Sequence, residues 1–107
     1  MKDHPGEPRI FFALAQTASL AAGDATDEEV QAERLNRALA NYRLAVQASS
    51  PETDRALLSR AHEAMGRIYS FLDNPGDAAK EFDEAIKIGE VRGGAYREAV
   101  ENRKKLP

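Results

Sequence analysis

The sequence predicts an all-α protein of about five helices arranged as antiparallel hairpins, and three observations carry this expectation. Apolar residues recur at three- and four-residue intervals along most of the chain, while period-two alternation bounded by turn residues occurs nowhere. Short clusters of Gly, Pro, Asn and Asp separate these runs, as expected where helices end and begin. Aromatics make up only 7% of the 107 residues, Trp is absent and Ala recurs throughout, so the core must come from small and aliphatic contacts between close helices.

Pro8 suits a first helical turn, and Phe11, Leu14, Ala15 and Ala18 then follow at helical spacing until Gly23. The second helix is expected after Thr26-Asp27-Glu28-Glu29, where the Thr26 hydroxyl can cap the Glu29 amide and the acids match the positive helix end. Its stripe of Leu35, Ala38, Leu39, Tyr42, Ala45 and Val46 runs about six turns before Ser49-Ser50-Pro51. Ser50, Pro51 and Glu52 read as the cap, first residue and dipole-matched acid of a third helix, whose apolar positions are Leu57, Leu58, Ala61, Met65, Ile68, Tyr69 and Leu72. So wide a face implies packing against two neighbours at once. Asp73-Asn74-Pro75-Gly76 breaks the chain, because Asp and Asn tolerate left-handed backbone and Pro75 can open a helix burying Ala78, Ala79, Phe82, Ala85 and Ile86. Gly93-Gly94 is read as its end, and Ala95 to Leu106 as a solvating cap helix, apolar only at Tyr96, Ala99, Val100 and Leu106.

The 18 acidic and 15 basic residues give a net charge of -3, which provides no positive field for nucleic acid; the basic Arg103-Lys104-Lys105 complements a helix C-terminus. No run is long and apolar enough for a membrane span, and no leader-like h-region opens the chain, so the cytoplasm is the default compartment unless a signal or anchor has been trimmed away. Without Cys there is neither a disulfide framework nor a thiolate metal site. His62-Glu63 begins like a helical zinc motif, but the second histidine would fall at Gly66, and His4 lies in the opening segment. Gly89, Gly93 and Gly94 spell no nucleotide-binding loop, and the acids at Asp27, Glu28, Glu29, Asp83 and Glu84 sit on helix surfaces facing water. No catalytic, metal or cofactor site is therefore expected.

A repeat organises the second half. With Ser59 as position one, Met65-Gly66, Tyr69, Ala78, Phe82 and Ala85 reproduce the alternation of small and large residues of a 34-residue helix-pair pattern. Residues 59–92 resemble a tetratricopeptide repeat, although His62, Asp73 and Glu90 depart from its first aromatic, turn glycine and closing proline. The first half resembles an elongated copy through Phe11, Leu14, Ala15, Ala18, Ala38, Tyr42 and Ala45. Ala38 follows Ala18 by twenty positions where Ala78 follows Tyr69 by nine, and the eleven extra residues read as three turns added to helix two, with helix three lengthened at its start to match. A truncated third copy starts at Gly93, with Tyr96 at the repeat's Trp-like position and Ala99-Val100 at its Leu-Gly pair. The resemblance implies one domain over residues 1–107, a short α-solenoid of stacked hairpins: 1–7 flexible, 8–50 the first repeat, 51–92 the second, and 93–107 a truncated third or cap helix. A four- or five-helix bundle is the alternative that would share this spacing.

The resemblance also implies a function, that of a non-enzymatic interaction scaffold whose first helices line a concave groove for a peptide or helix. Carried over by position, the groove residues are Arg9, Phe12, Gln16 and Ser19, then Arg60, Glu63, Arg67 and Ser70, then Arg97. Phe12 and Glu63 stand where a chaperone-tail clamp carries lysine, and Gln16 and Arg67 where it carries asparagine, so that specificity is not expected. Arg60 or Arg67 would suit an acidic partner. Self-association as a homodimer or as part of a longer array is the alternative, because so few repeats leave terminal apolar faces and Phe11 and Phe12 cannot both face inward.

Overall fold

The computed structural model describes residues 7–50 and 53–107. Among them are five helices and no strand: α1 (Pro8–Gly23), α2 (Glu28–Gln47), α3 (Arg55–Phe71), α4 (Pro75–Ile88) and α5 (Tyr96–Lys104). The all-helical expectation is met. The chain divides into two compact units, residues 1–52 and 53–107.

The first unit is the α1–α2 hairpin. Pro8 occupies the first turn of α1, where its missing N–H costs nothing. Asp27, rather than Thr26, caps α2: its Oδ1 accepts from the Glu29 amide at 2.8 Å and the Val30 amide at 3.4 Å. The capping acid is thus one residue closer to the helix than the pattern Thr-x-x-Glu suggests, and a carboxylate accepts more strongly there than a hydroxyl. The buried residues of α2 are Leu35, Ala38, Leu39, Tyr42 and Ala45, with Val46 half-buried, as its periodicity indicates. The buried stripe of α1 is Phe12, Ala15, Ala18 and Ala22, rotated from the expected one. Phe11 is half-buried and Leu14 is 51% exposed. The rotation follows Phe12, whose ring meets Tyr42 edge to face at 5.5 Å between centroids, an arrangement aromatic quadrupoles favour.

The elongation of this hairpin is shared differently from the expectation. Ten residues of α2 precede Ala38, against three of α4 before Ala78; five of α1 follow Ala18, against two of α3 after Tyr69. Both arms therefore lengthen at their common turn, and side chains stitch them together there. Arg34 Nη1 donates to the Ala21 carbonyl at 2.8 Å and Gln31 Nε2 to the Ala22 carbonyl at 3.2 Å, adding to the Asp24 and Ala25 amides that these last carbonyls of α1 already accept. Helix α3 begins at Arg55, ahead of Ser59. Its cap is Asp54, accepting from the Ala56 amide at 2.9 Å, and not Ser50. The expected Pro51 and Glu52 start lies outside the described residues.

In the second unit α3 and α4 form a hairpin and α5 packs on both. Ala56, Leu57, Ala61, Ala64, Met65 and Ile68 are buried around much of the circumference of α3, which explains its wide apolar face. Ala78, Phe82, Ala85 and Ala99 form a buried cluster, against which Tyr69, Ile86 and Leu106 pack. Gly66 lets the two arms close: a Cβ there would lie 2.5 Å from Cε1 of Phe82. The α3–α4 turn is a Schellman motif in which Asn74 N–H donates to the Tyr69 carbonyl at 2.8 Å and Asp73 N–H to the Ser70 carbonyl at 3.1 Å. It places Asp73 at φ 61°, a left-handed conformation that Asp tolerates better than most residues. Asn74 does not cap the backbone with its side chain, which donates instead to Asp77 at 2.8 Å. Helix α4 ends at Ile88 and not at Gly93-Gly94, because Gly89 leaves the helix at φ 90°.

Candidate interaction surface

On α3 the positions Arg60, Glu63, Arg67 and Ser70 follow one another by three or four residues and so share a helix face. Arg60, Arg67 and Ser70 are exposed. Glu63 is 5% exposed and committed internally. Its Oε2 accepts from Arg67 Nε at 2.8 Å, one turn along α3, and from Asn102 Nδ2 of α5 at 3.0 Å. Burial pushes the Glu63 carboxyl above the ordinary glutamate range; the Arg67 charge and hydrogen bond and the Asn102 hydrogen bond oppose this, while the Glu98 charge adds to it. Glu63 is therefore a strut between α3 and α5, which corrects its placement among groove residues.

Phe12 needs the same correction. At 6% exposure it belongs to the interior of the α1–α2 hairpin. Arg9 and Gln16 are exposed on one flank of α1, with Ser19 half-buried beside them. Arg97 is exposed on α5 and pairs with Glu90 at 3.4 Å. So the structure joins Glu63 to Arg67 directly and sets Arg60, Arg67 and Ser70 on one open face.

Three contacts of the second unit have no counterpart in the sequence reading. His62 Nδ1 lies 2.8 Å from Glu81 Oε1, a half-buried link from α3 to α4. Ser59, fully buried, accepts the Ala95 amide at 2.9 Å and ties the start of α5 to α3. Gly94 permits that approach, since a Cβ would fall 3.0 Å from Ser59 Oγ. Arg103 of α5 reaches Asp83 of α4 at 3.0 Å. Only the Glu63–Arg67 spacing was visible in advance, as an i,i+4 pair of opposite charge. The partners in these three contacts, and Glu63 and Asn102, stand 19 to 39 residues apart, where no local pattern links them.

Among the described residues no cluster of three or more His, Cys, Asp or Glu side chains could hold a metal ion. No helix among them is long and apolar enough to cross a membrane. Comparison with models of known protein families, with curated proteins and with solved structures gives no match.

Proposed function

We propose that the chain is a non-enzymatic protein-interaction module of tetratricopeptide type, its hairpins being repeats of a short α-solenoid, and that it holds a peptide or helix of a partner protein. The observation that carries this reading is the fit of the α3–α4 hairpin to the repeat's packing logic. Gly66 faces the Phe82 ring, Ala78 and Ala85 are fully buried, and the left-handed turn falls at Asp73, where the repeat has glycine. Spacing alone would not require the small residue and the large one to meet. In such a hairpin the open side of the first helix is the recognition face, here Arg60, Arg67 and Ser70, with Arg9, Gln16 and Ser19 as the corresponding set on α1. Arg67 already neutralises Glu63, so a partner carboxylate would complete a shared guanidinium site. The best-placed titratable groups, Glu63 and His62, serve as helix-to-helix links, which favours binding over chemistry.

The test is a peptide array of random and acidic sequences probed with the full chain, followed by titration of the hits. Arg60→Glu and Ser70→Glu should each weaken bound peptides by about tenfold, the scale of a central interface residue, with unchanged helicity. Hits that bind both variants as tightly as the wild type would overturn the assignment of this face.

A further inference from the structure

The α1–α2 hairpin carries a second feature that the α3 face does not use. Leu14, Ala18 and Ala21 floor an open groove of about 460 Å³ along the hairpin, rimmed on the α2 side by Arg34, Arg37 and Asn41. The apolar strip continues beyond it. Ile10, one turn before Leu14, is 56% exposed; on α2, Val30 lies one turn before Arg34 and Leu44 one turn after Asn41, and they are 38% and 41% exposed. Four of the six large exposed hydrophobic residues among those described thus fall on this side of one hairpin, with two arginines between them. Scattered exposure would need no explanation, but a strip with a cationic middle does.

We infer that this groove docks an amphipathic helix of a partner protein whose apolar stripe is bordered by paired acidic residues. Two parallel-sided helices with an apolar floor between them offer the long straight trough that a third helix fills. The charge defines the occupant. Arg34 and Arg37 are one turn apart, matching carboxylates one turn apart on the incoming helix. Arg34 is held in place by its bond to the Ala21 carbonyl, so its guanidinium is already oriented. Arg37 is 67% exposed, and its contact with Glu33 is a loose 3.9 Å, leaving it able to take a closer partner. Asp24 stands at the turn end of the groove and disfavours an acid there, which places the acidic pair in the middle of the docked helix. A second copy of this chain is a poor occupant, because a two-fold contact through this face would set the arginines against one another. Nucleic acid is a poor one too, since the floor is aliphatic.

The proposal is tested with two labelled helical peptides of about four turns, both with leucine along one face and bordered in the middle by Glu at i and i+4 or by Lys at the same positions. The full chain should bind the Glu peptide at least about tenfold more tightly than the Lys peptide, a preference that shrinks with added salt. Leu14→Asp should abolish binding of the Glu peptide, and Arg37→Glu should reverse the preference between the two. Since Arg37 is a solvent-facing side chain, its variant reads out even if Leu14→Asp unfolds. Arg60→Glu and Ser70→Glu should leave both peptides' affinities unchanged, which separates this groove from the α3 face. Equal binding of the two peptides, or no binding, overturns the proposal. So does a wild-type dimer in light scattering that Leu14→Asp converts to a monomer of unchanged helicity, which would make a second copy the occupant.

Discussion

Replacing Gly66 with alanine isolates the closest helix approach in the second unit. The new methyl would sit 2.5, 2.6 and 2.9 Å from three ring carbons of Phe82, a side chain only 1% exposed and so without room to swing away. Overpacking of this kind costs about 1–3 kcal/mol, and because the overlap is with a ring held on all sides the upper half of that range applies. Against it stands the gain of about 1 kcal/mol from replacing a mid-helix glycine by alanine. The net expectation for Gly66→Ala is a loss of about 1–2 kcal/mol, read as a lower urea midpoint at unchanged slope in far-UV circular dichroism. Gly76 supplies the control. It lies in the first turn of α4 with nothing within 4 Å of a would-be Cβ, so Gly76→Ala should be neutral or stabilising by up to about 1 kcal/mol. A smaller side chain opposite should relieve the clash: combining Gly66→Ala with Phe82→Leu should cost less than the sum of the two single changes, by about 1 kcal/mol. If Gly66→Ala proves as harmless as Gly76→Ala, or the two changes simply add, then the α3–α4 contact is not the tight one described and the repeat-based reading of Gly66 loses its support.

Capping offers a second check, since Asp27→Ala should cost about 1 kcal/mol in thermal or urea unfolding whereas Thr26→Ala should fall within experimental scatter; the reverse order would place the cap at Thr26 after all. Ser59→Ala leaves the buried Ala95 amide without its acceptor and should destabilise the chain by about 1–3 kcal/mol, with amide exchange accelerated first in α5. Unchanged exchange there would mean that α5 does not depend on this bond. Asp73→Gly should stabilise by about 0.5 kcal/mol, because relief of left-handed strain outweighs the entropy glycine adds to the unfolded chain; a destabilised variant would count against the turn geometry. Glu63 makes a signed pH prediction. Its folded pKa lies above the unfolded one, so its contribution falls as pH rises from the unfolded to the folded value, the burden being absent below the former and complete above the latter. Stability of the wild type relative to Glu63→Gln, measured by urea unfolding between about pH 4 and pH 7, should therefore decline towards neutrality. A difference that grows with pH would mean that Arg67 and Asn102 outweigh burial.

Sequence periodicity was sufficient wherever a helix has one partner and a regular stripe. The buried face of α2 could be read residue by residue because Leu35, Ala38, Leu39, Tyr42 and Ala45 are the only apolar set that repeats at 3.6 residues. On α1 the same method erred by one position, since Phe11 and Phe12 are equally apolar and either could start a stripe. The interaction of Phe12 with Tyr42 makes the choice, and periodicity contains no term for it. Caps showed the same limit. Both Thr26 and Asp27, and both Ser50 and Asp54, are competent, and only the path of the chain into the hairpin selects one. Of the candidate interaction residues, Arg60, Arg67 and Ser70 emerged on an open face, but Glu63 was misassigned because its burial depends on Asn102, far along the chain. The α1–α2 groove was not legible at all, for it needs the flanks of two helices to be brought side by side.

The sequence by itself determined that the chain is helical, roughly where its helices break, and which small and large residues alternate in the α3–α4 hairpin. These follow from local rules: backbone preference, the 3.6-residue period and the chemistry of Pro, Gly, Asn and Asp at helix ends. Tertiary structure alone decided which side of α1 turns inward, where the eleven extra residues of the first hairpin go, and how Ser59 and Glu63 fasten α5 to α3. Those are outcomes of packing, in which a side chain's environment is set by neighbours distant in sequence, and a buried polar atom must find its partner wherever the fold supplies one.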